Sequence, residues 1–383
     1  MGRPPDARPH RVTGLGDRLR REIAARGPMS VARFMAIALD DPQHGYYRTR
    51  DPLGRAGDFT TAPEISQIFG ELIGIWLVDC WDRLGRPEPF QLVELGPGRG
   101  TLTVDALRAA RIVPAFAAAA ALHLVETSPV LRARQKATLE AADAPAPAWH
   151  ESLATVPEGP LLLVANEFFD ALPIRQFQRA ADGWHERMVG CEDGPGGALC
   201  FTLAPRPSPA ATLLPAARAD CPIGAVVEYG EAAESVAAEI GRRIARTGGG
   251  ALIADYGHSR PGVGDTLQAV RRHRYADPLA DPGETDLTAH VDFSALAAAA
   301  RESGAAVDGP VAQARWLDAM GIAARAAALK QRATPDQCRD IDSGVERLTA
   351  ADGMGHLFQM MSIAPQRLAP TAGFGSESRG PTR

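Results

Sequence analysis

The residues with the clearest chemical potential form a glycine-rich segment at 92–102. An apolar run ending in Glu94-Leu95 leads into a loop with glycine at every second position, and a helical pattern follows. Glycine lets a backbone turn sharply or approach a ligand closely, and a helix N-terminus presents unpaired N–H groups to an anion. We therefore interpret the segment as a nucleotide-cofactor loop. Its candidate binding residues are Glu94, Gly96, Gly98 and Gly100.

A second acid follows where a ribose-binding carboxylate is expected. The apolar strand at 122–125 is followed by Glu126, and Ser128-Pro129 has the residue types that begin a helix. A carboxylate at this position can accept hydrogen bonds from vicinal hydroxyls, as in dinucleotide-binding folds. The alternative is a solvated glutamate near a helix N-terminus. The glycine spacing departs from the G-x-G-x-x-G of those folds, which disfavours an NAD-dependent oxidoreductase.

Composition limits the classes of partner. The chain has 383 residues, 45% hydrophobic and 23% charged, with a net charge of −5, which fits one large domain or two modest ones. The mildly acidic balance argues against a nucleic-acid partner. No apolar run is long enough to cross a membrane, and acids among the N-terminal arginines argue against a presequence. We expect a bacterial-type cytoplasmic protein, or a mitochondrial matrix protein if the source is eukaryotic.

The cysteines predict neither a disulfide framework nor a metal site. They are odd in number and form no C-x-x-C pair. The cysteines are Cys80, Cys191, Cys200, Cys221 and Cys338.

Alternating strands and helices indicate an α/β fold with a doubly wound, Rossmann-like parallel sheet. The predicted strands of this sheet lie near 91–95, 121–126, 161–166 and 250–256. We expect an N-terminal helical cap at 1–89 and a main domain at 90–365. The main domain is expected to carry an inserted hairpin or small sheet at about 174–229, with a turn at Asp182-Gly183. Helices are predicted near 292–303 and 315–349, then a strand at 356–363 and a disordered tail at 366–383.

The N-terminal cap contains two predicted helices and a glycine-rich loop. Ser30 is expected to cap a short helix, and Thr61 to open a long helix through a capping box with Glu64. The loop between them, 54–61, is long enough to suggest a function. Its Asp58 is a candidate lid residue, or the first residue of a loop-stabilising Asx turn.

Five segments together resemble a known family. The acid-x-Gly-x-Gly-x-Gly loop resembles motif I of class I S-adenosylmethionine (SAM) methyltransferases, and the wider set resembles the MidA family across most of the chain. The segments are GDFTTAPEISQ (57–67), ELGPGRG (94–100), LVETSP (124–129), NEFFDALP (166–173) and DLTAHVDF (286–293).

The resemblance implies a class I methyltransferase fold with SAM as methyl donor. Mitochondrial members are complex I assembly factors that symmetrically dimethylate an arginine on a core subunit of respiratory complex I. A protein substrate of that kind is therefore implied for this chain. Two other hypotheses remain open, a methyltransferase for a small molecule or another side chain, and a non-catalytic assembly factor that binds SAM.

An arginine substrate would require carboxylates, because guanidinium stays protonated and pairs bidentately with acids. Glu167 and Asp170 follow the strand at 161–165, at the sheet edge where ligands of α/β folds bind. They flank two phenylalanines that could stack on a guanidinium. We take these acids as the candidate catalytic residues. The equally weighted alternative is that Asp170 caps a turn and that the phenylalanines belong to the core.

Other candidates are weaker. Asp255 and Tyr256 end the strand at 251–254, where they could line the pocket or form a turn. His290 could accept a proton near neutral pH, although a lone histidine is more often a packing residue. With Asp286 and Asp292 it resembles a catalytic cluster, although Asp292 could simply cap the helix from 293.

Overall fold

A computed structural model describes residues 14–51, 54, 61–192, 194, 196–214 and 221–375. The α-helices in these residues are α1 (Gly14–Arg26), α2 (Val31–Asp40), α3 (Tyr46–Thr49), α4 (Ala62–Ile65), α5 (Gln67–Arg83), α6 (Thr101–Ala110), α7 (Pro114–Ala119), α8 (Pro129–Ala141), α9 (Glu231–Thr247), α10 (Phe293–Glu302), α11 (Gln313–Ala319), α12 (Ile322–Lys330), α13 (Pro335–Thr349) and α14 (Met354–Leu357). The strands are β1 (Met29–Ser30), β2 (Phe90–Leu95), β3 (Ala120–Val125), β4 (Ala148–His150), β5 (Leu161–Asn166), β6 (Arg175–Ala180), β7 (Gly183–Cys191), β8 (Leu199–Leu203), β9 (Val226–Tyr229), β10 (Gly249–His258), β11 (Gln268–Arg271), β12 (Arg274–Ala276), β13 (Asp286–Thr288), β14 (Val291–Asp292), β15 (Ala306–Ala312) and β16 (Phe358–Ala364).

The chain forms two compact units. Unit 1 comprises Met1–Arg50, Pro173–Tyr229 and Val263–Ala289, and unit 2 comprises Asp51–Leu172, Gly230–Gly262 and His290–Arg383.

Unit 2 contains an eight-stranded sheet with the order β15-β16-β10-β5-β2-β3-β4, and β14 pairs with β10. Strands β10, β5, β2, β3 and β4 run parallel, whereas β16 is antiparallel to both β10 and β15. The four strands predicted for the doubly wound sheet are all present. Because parallel strands end at the same edge, the segments that follow β2, β3, β5 and β10 meet there.

Apolar residues cover both faces of this sheet. Leu162 of β5 belongs to the same buried cluster as Trp76 of α5, on one face. Leu163 belongs to a second cluster with Ile240 of α9, on the other face. A strand buried on both faces is expected to be continuously apolar, which explains the run LLLVA in β5.

Unit 1 contains the inserted strands. Its five-stranded sheet has the order β1-β7-β6-β9, with β8 paired to β7. Strands β6 and β7 form an antiparallel hairpin whose last pair is Ala180 and Gly183, so the predicted hairpin is confirmed. A separate three-stranded sheet, β12-β11-β13, was not predicted.

The division of the chain differs from the predicted boundary at 89. Met29 of β1 pairs with Val189 of β7, which joins α1–α3 to the inserted strands of unit 1. Helix α5 instead belongs to unit 2, where its Trp76 is fully buried. Strand pairing between segments distant in sequence decides this division, and local sequence patterns carry little information about it.

Two helical predictions need correction. Ser30 caps α2 as expected, but the helix expected from Thr61 is interrupted at Ser66, whose extended backbone ends α4 and whose hydroxyl caps α5. Thr61 makes no side-chain cap. The long helix predicted at 315–349 is divided into α11, α12 and α13, and the left-handed Gly321 begins α12.

The C-terminal segment is more packed than predicted. Leu368 is buried, and the Thr371 amide donates to Oδ2 of Asp308 at 2.8 Å. The predicted tail therefore does not begin at 366. Residues 376–383 lie outside the described part of the chain. Among the described helices, none has the length and apolar character needed to cross a lipid bilayer.

Candidate functional site

The glycine loop, residues 96–101, follows β2, and its backbone conformation requires glycine. Gly96, Gly98 and Gly100 have φ values of 60°, 54° and 83°, in the left-handed region that other residues rarely adopt. Gly100 is the N-cap of α6, and no side chain caps this helix. The loop therefore has the backbone conformation expected of a cofactor loop, followed by an uncapped helix N-terminus suited to an anionic group.

Glu94 connects β2 to α6. Its carboxylate is buried and accepts a hydrogen bond from the Thr103 hydroxyl. Burial raises the pKa of Glu94 to about 7, although hydrogen bonds from the Thr103 hydroxyl and amide oppose the shift. This carboxyl therefore holds the two sides of the glycine loop together.

Glu126 is held in one orientation by two donors. Its Oε1 accepts from the Ser128 amide at 2.8 Å, and its Oε2 accepts from Nε2 of Gln135 at 3.0 Å. Burial raises its pKa, against the opposing effect of these hydrogen bonds. A carboxylate has about four acceptor positions, so Glu126 can accept from a ribose hydroxyl as well. The residues present therefore fit the ribose of a nucleoside cofactor.

Gln135 is a candidate site residue that the sequence did not predict. This fully buried side chain donates through Nε2 both to Glu126 and to the carbonyl of Gly98, the latter at 2.8 Å. Its Oε1 accepts from Nε1 of Trp149 at 2.8 Å. Gln135 thus joins the glycine loop to the predicted ribose carboxylate. A buried amide seven residues after the N-cap Ser128 was the available sequence signal, but that pattern is common in helices.

The glycine loop is also tied to the segment before α5. The Thr101 hydroxyl donates to Oε1 of Glu64 at 2.6 Å, and Nε of Arg99 lies 3.0 Å from Oδ2 of Asp51. Glu64 therefore contacts the glycine loop and does not form the predicted capping box with Thr61.

The turn after β5 presents Glu167 at the carboxyl edge of the sheet. Glu167 is half-buried, with a φ of 50° that is unusual for a residue other than glycine. Its amide donates to the Ala254 carbonyl at 2.9 Å, and its Oε1 accepts from the Ala62 amide at 3.3 Å and from Nδ2 of Asn166 at 3.2 Å. Strained backbone of this kind is frequent at functional sites.

Asn166 offers an acceptor that the described residues leave unused. Its Oδ1 is buried without a hydrogen-bond partner among them, and its Nδ2 donates to Glu167. Exchanging the amide oxygen and nitrogen would direct the oxygen at a carboxylate, so the assignment is favoured. A buried acceptor beside an acid matches a ligand that brings N–H donors.

The two phenylalanines of this turn have different environments. Phe169 is 3% exposed and belongs to the apolar core, which agrees with the structural alternative for that residue. Phe168 is half-buried and lies against the glycine loop, since a Cβ atom on Gly96 would be 3.0 Å from its Cδ2. Of the pair, only Phe168 is placed to contact a ligand at the loop.

Asp170, in the turn after β5, and Asp255, in the neighbouring strand β10, are buried acids. Oδ2 of Asp255 accepts from three consecutive amides, those of residues 168, 169 and 170. Asp170 accepts a hydrogen bond from the side chain of Tyr256, and burial raises the pKa of Asp170 to about 6. Asp255 therefore stabilises the turn, as the alternative interpretation of this residue predicted.

The remaining candidates each have contacts of their own. Asp292 caps α10 by accepting from the amides of Ser294 and Ala295, at 3.0 and 3.1 Å. The ring of His290 packs edge-on against Tyr256 at 5.6 Å, and burial lowers its pKa. Asp286 belongs to unit 1, where it accepts from the Tyr47 hydroxyl at 2.8 Å.

Asp58 lies outside the described residues. No group of three or more candidate metal ligands occurs within the described ranges.

A family model for S-adenosyl-L-methionine-dependent methyltransferases matches residues 72–311 of the chain. The chain is 39% identical over 395 residues to the mitochondrial protein arginine methyltransferase NDUFAF7 homolog of Drosophila melanogaster, covering 94% of this chain and 88% of that relative. It is 37% identical over 380 residues to the mitochondrial protein arginine methyltransferase NDUFAF7 of Homo sapiens, covering 93% and 85%.

Solved structures with the same fold come from Burkholderia thailandensis. One is bound to S-adenosyl-homocysteine, with a TM-score of 0.78, 30% identity, and coverage of 94% of this chain and 92% of that chain. A second, native structure has a TM-score of 0.79, 31% identity, and coverage of 95% and 94%.

Proposed function

The chain belongs to the family of S-adenosyl-L-methionine-dependent methyltransferases, and we propose that its methyl acceptor is an arginine side chain of a protein. The family and the structure bound to S-adenosyl-homocysteine identify SAM as the methyl donor. The relatives named as protein arginine methyltransferases support arginine as the acceptor. The observation that carries the proposal is Glu167, a half-buried carboxylate in a strained turn beside the glycine loop.

The proposed cofactor site comprises the glycine loop and Glu126. The loop amides and the N-terminus of α6 would receive the amino-acid end of SAM, and Glu126 would accept from its ribose. Gln135 keeps these two elements in register through its hydrogen bonds to Gly98 and Glu126. When bound, SAM supplies a methyl group that the charge on its sulfur already activates.

The turn after β5, residues 167–170, carries the carboxylates that an arginine substrate would need, and it is called the acidic turn below. Guanidinium is a cation that delocalises its charge, so a carboxylate that pairs with one side of it localises the charge and orients one nitrogen. We assign this pairing to Glu167, with Asp170 as the second acid of the turn and Phe168 as a stacking surface. Oδ1 of Asn166, which has no hydrogen-bond partner among the described residues, would accept one further guanidinium N–H.

The substrate protein is proposed from the MidA resemblance. We assign the acceptor arginine to a core subunit of respiratory complex I, with symmetric dimethylation as the product and support of complex assembly as the biological role. The relatives named as mitochondrial favour the matrix for a eukaryotic source, and we propose the cytoplasm for a bacterial one. Cell fractionation with an antibody tests the compartment.

A strain that lacks the gene for this protein, called the deletion strain below, tests the function. By intact-mass and peptide analysis, one core-subunit peptide of complex I from this strain should be lighter by about 28 Da, the net gain when two methyl groups replace two hydrogens. Purified enzyme with labelled SAM should restore the modification at arginine. Label on a small molecule or another side chain would favour the second hypothesis. Restored assembly by a variant that cannot transfer methyl groups would favour a non-catalytic assembly factor.

A further inference from the structure

Two consecutive residues of β10, Asp255 and Tyr256, contact the turn that follows β5. Oδ2 of Asp255 accepts from the amides of Phe168, Phe169 and Asp170, at 3.2, 2.9 and 3.3 Å. Its Oδ1 accepts from the Tyr256 amide at 2.9 Å. Three consecutive amides that converge on one oxygen fix the backbone direction immediately after Glu167.

Tyr256 holds the other acid. Its side chain donates a hydrogen bond to the buried carboxylate of Asp170. The Tyr256 ring is itself fixed by two aromatic neighbours, His290 and Phe358, with ring centroids 5.6 Å away in each case. The hydroxyl therefore has a defined position relative to the carboxylate.

The backbone of Glu167 needs this support. Its φ of 50° lies in the left-handed region, which is sterically unfavourable for a residue with a Cβ atom. The cost is tolerated where surrounding contacts over-determine the conformation. Here the Glu167 amide bonds to Ala254 of β10, and the next three amides bond to Asp255 of the same strand.

We propose that Asp255 and Tyr256 are positioning residues for methyl transfer, Asp255 by orienting the Glu167 turn and Tyr256 by orienting the Asp170 carboxylate. The proposal rests on the proposed function, because Glu167 and Asp170 are the acids assigned to the guanidinium. Neither Asp255 nor Tyr256 is required to touch the substrate.

The hydrogen bond from Tyr256 should have a measurable effect on the pKa of Asp170. Burial raises the pKa of Asp170, whereas the Tyr256 hydrogen bond lowers it. Burial raises the pKa of Asp255 well above its usual value, and the charges of Asp170 and Glu167 raise it further. A hydrogen bond to the ionised form stabilises that form, so loss of the hydroxyl should raise the pKa of Asp170 further.

The decisive experiment uses Tyr256→Phe in the full-length protein. Methyl transfer to complex I from the deletion strain is measured against pH, and SAM affinity is measured by calorimetry. We expect turnover to fall about tenfold at neutral pH and the acid limb to move to higher pH, with unchanged SAM affinity. Tyr275→Phe is the matched control, because Tyr275 is 81% exposed in unit 1 and should leave all three readouts unchanged.

Asp255→Asn tests the second half of the proposal. Asparagine has one acceptor oxygen, so its NH2 group would meet either the three turn amides or the Tyr256 amide. We expect turnover to fall by about tenfold or more, with SAM affinity retained and substrate KM raised less than kcat falls. If this variant does not fold, the pH profile of Tyr256→Phe decides the proposal.

The two proposals fail in different ways. Parent turnover in Glu167→Gln would reject the assignment of the substrate acid and the positioning role that depends on it, whereas label on a group other than an arginine side chain would reject the proposed function. A Glu167→Gln variant without turnover, combined with a parent pH profile in Tyr256→Phe, would leave the proposed function standing and overturn the positioning role.

Discussion

Gly96 and Phe168 lie directly against each other, because a Cβ atom built on Gly96 would be 3.0 Å from Cδ2 of Phe168. The first glycine of the loop after β2 therefore packs beneath the aromatic residue that follows Glu167 after β5. The proposed cofactor loop and the proposed acceptor turn thus adjoin at one edge of the sheet. Methyl transfer requires donor and acceptor to be aligned at close range, so this juxtaposition suits the reaction.

Gly96→Ala should weaken SAM binding at least tenfold, because the new methyl group would displace Phe168 and distort the loop. The φ of 60° at Gly96 adds about 1 to 2 kcal/mol of backbone strain. Gly85→Ala is the matched control, since Gly85 has a similar φ of 88° but no atom within 4 Å of the added Cβ. Equal SAM affinities in the two variants, measured by calorimetry, would contradict the steric explanation.

Glu126→Ala should abolish SAM binding without unfolding the protein, since the variant removes the proposed ribose acceptor from a helix boundary and not from the apolar core. Calorimetry measures binding, and circular dichroism checks the fold. If the folded variant bound SAM as tightly as the parent protein does, the assignment of Glu126 to the ribose would be wrong. Tight NADH binding by the parent protein would contradict the cofactor specificity.

Gln135→Met should weaken SAM binding by about tenfold, because methionine fills the space but cannot donate to Gly98 and Glu126. It should also destabilise the fold by roughly 1 to 3 kcal/mol, the cost of leaving buried polar groups unpaired. Lys136→Met, at the next and exposed position of α8, is the control and should change neither quantity. A loss of stability with parent SAM affinity would limit Gln135 to a structural role.

Glu167→Gln should lower turnover about a hundredfold or more while SAM affinity stays at the parent value, since one preorganised electrostatic contact is lost. Glu158→Gln is the control, because Glu158 is an exposed acid paired with Arg246 on the surface. Single-turnover methyl transfer measures the effect. Parent activity in Glu167→Gln would direct attention to Asp170 and Asp255.

Phe168→Leu and Phe169→Leu should have different consequences. Phe168 is half-buried beside the glycine loop, so its replacement should raise the substrate KM with a small change in stability. Phe169 is a core residue, so its replacement should cost about 1 kcal/mol of unfolding free energy with a smaller effect on KM. Thermal denaturation and steady-state kinetics separate these outcomes, and identical behaviour of the pair would argue against a stacking role for Phe168.

Glu94→Gln should flatten the pH dependence of stability. The folded protein binds the Glu94 proton more tightly than the unfolded chain does, so stability falls as pH rises from 4.5 through about 7. Above that range the loss in unfolding free energy is on the order of 3 kcal/mol. Glutamine mimics the protonated acid, so the variant should not show this loss. Denaturant titrations at about pH 5 and about pH 8 measure the difference. A parent-like slope in the variant would show that another group controls it.

The amino-acid sequence by itself determined the fold class and the cofactor. Apolar strands that each end in a glycine or an acid are local features, and they identified the segments after β2, β3 and β5. The left-handed φ values of Gly96, Gly98 and Gly100 agree with the expectation that this loop needs glycine. Ser128 caps α8 as its position predicted, because its hydroxyl accepts from the Leu131 amide.

Only the tertiary structure decided which acids are buried in support of the turn and which one is presented at the sheet edge. Asp255 is distant in sequence from the turn it stabilises, and nothing local indicates that three amides converge on it. Gln135 likewise becomes a bridge only when α8 packs beside the glycine loop. The sequence contains the acids, but burial and long-range hydrogen bonds fix which carboxylate is covered and which is presented, because they depend on strands that meet only in the folded sheet.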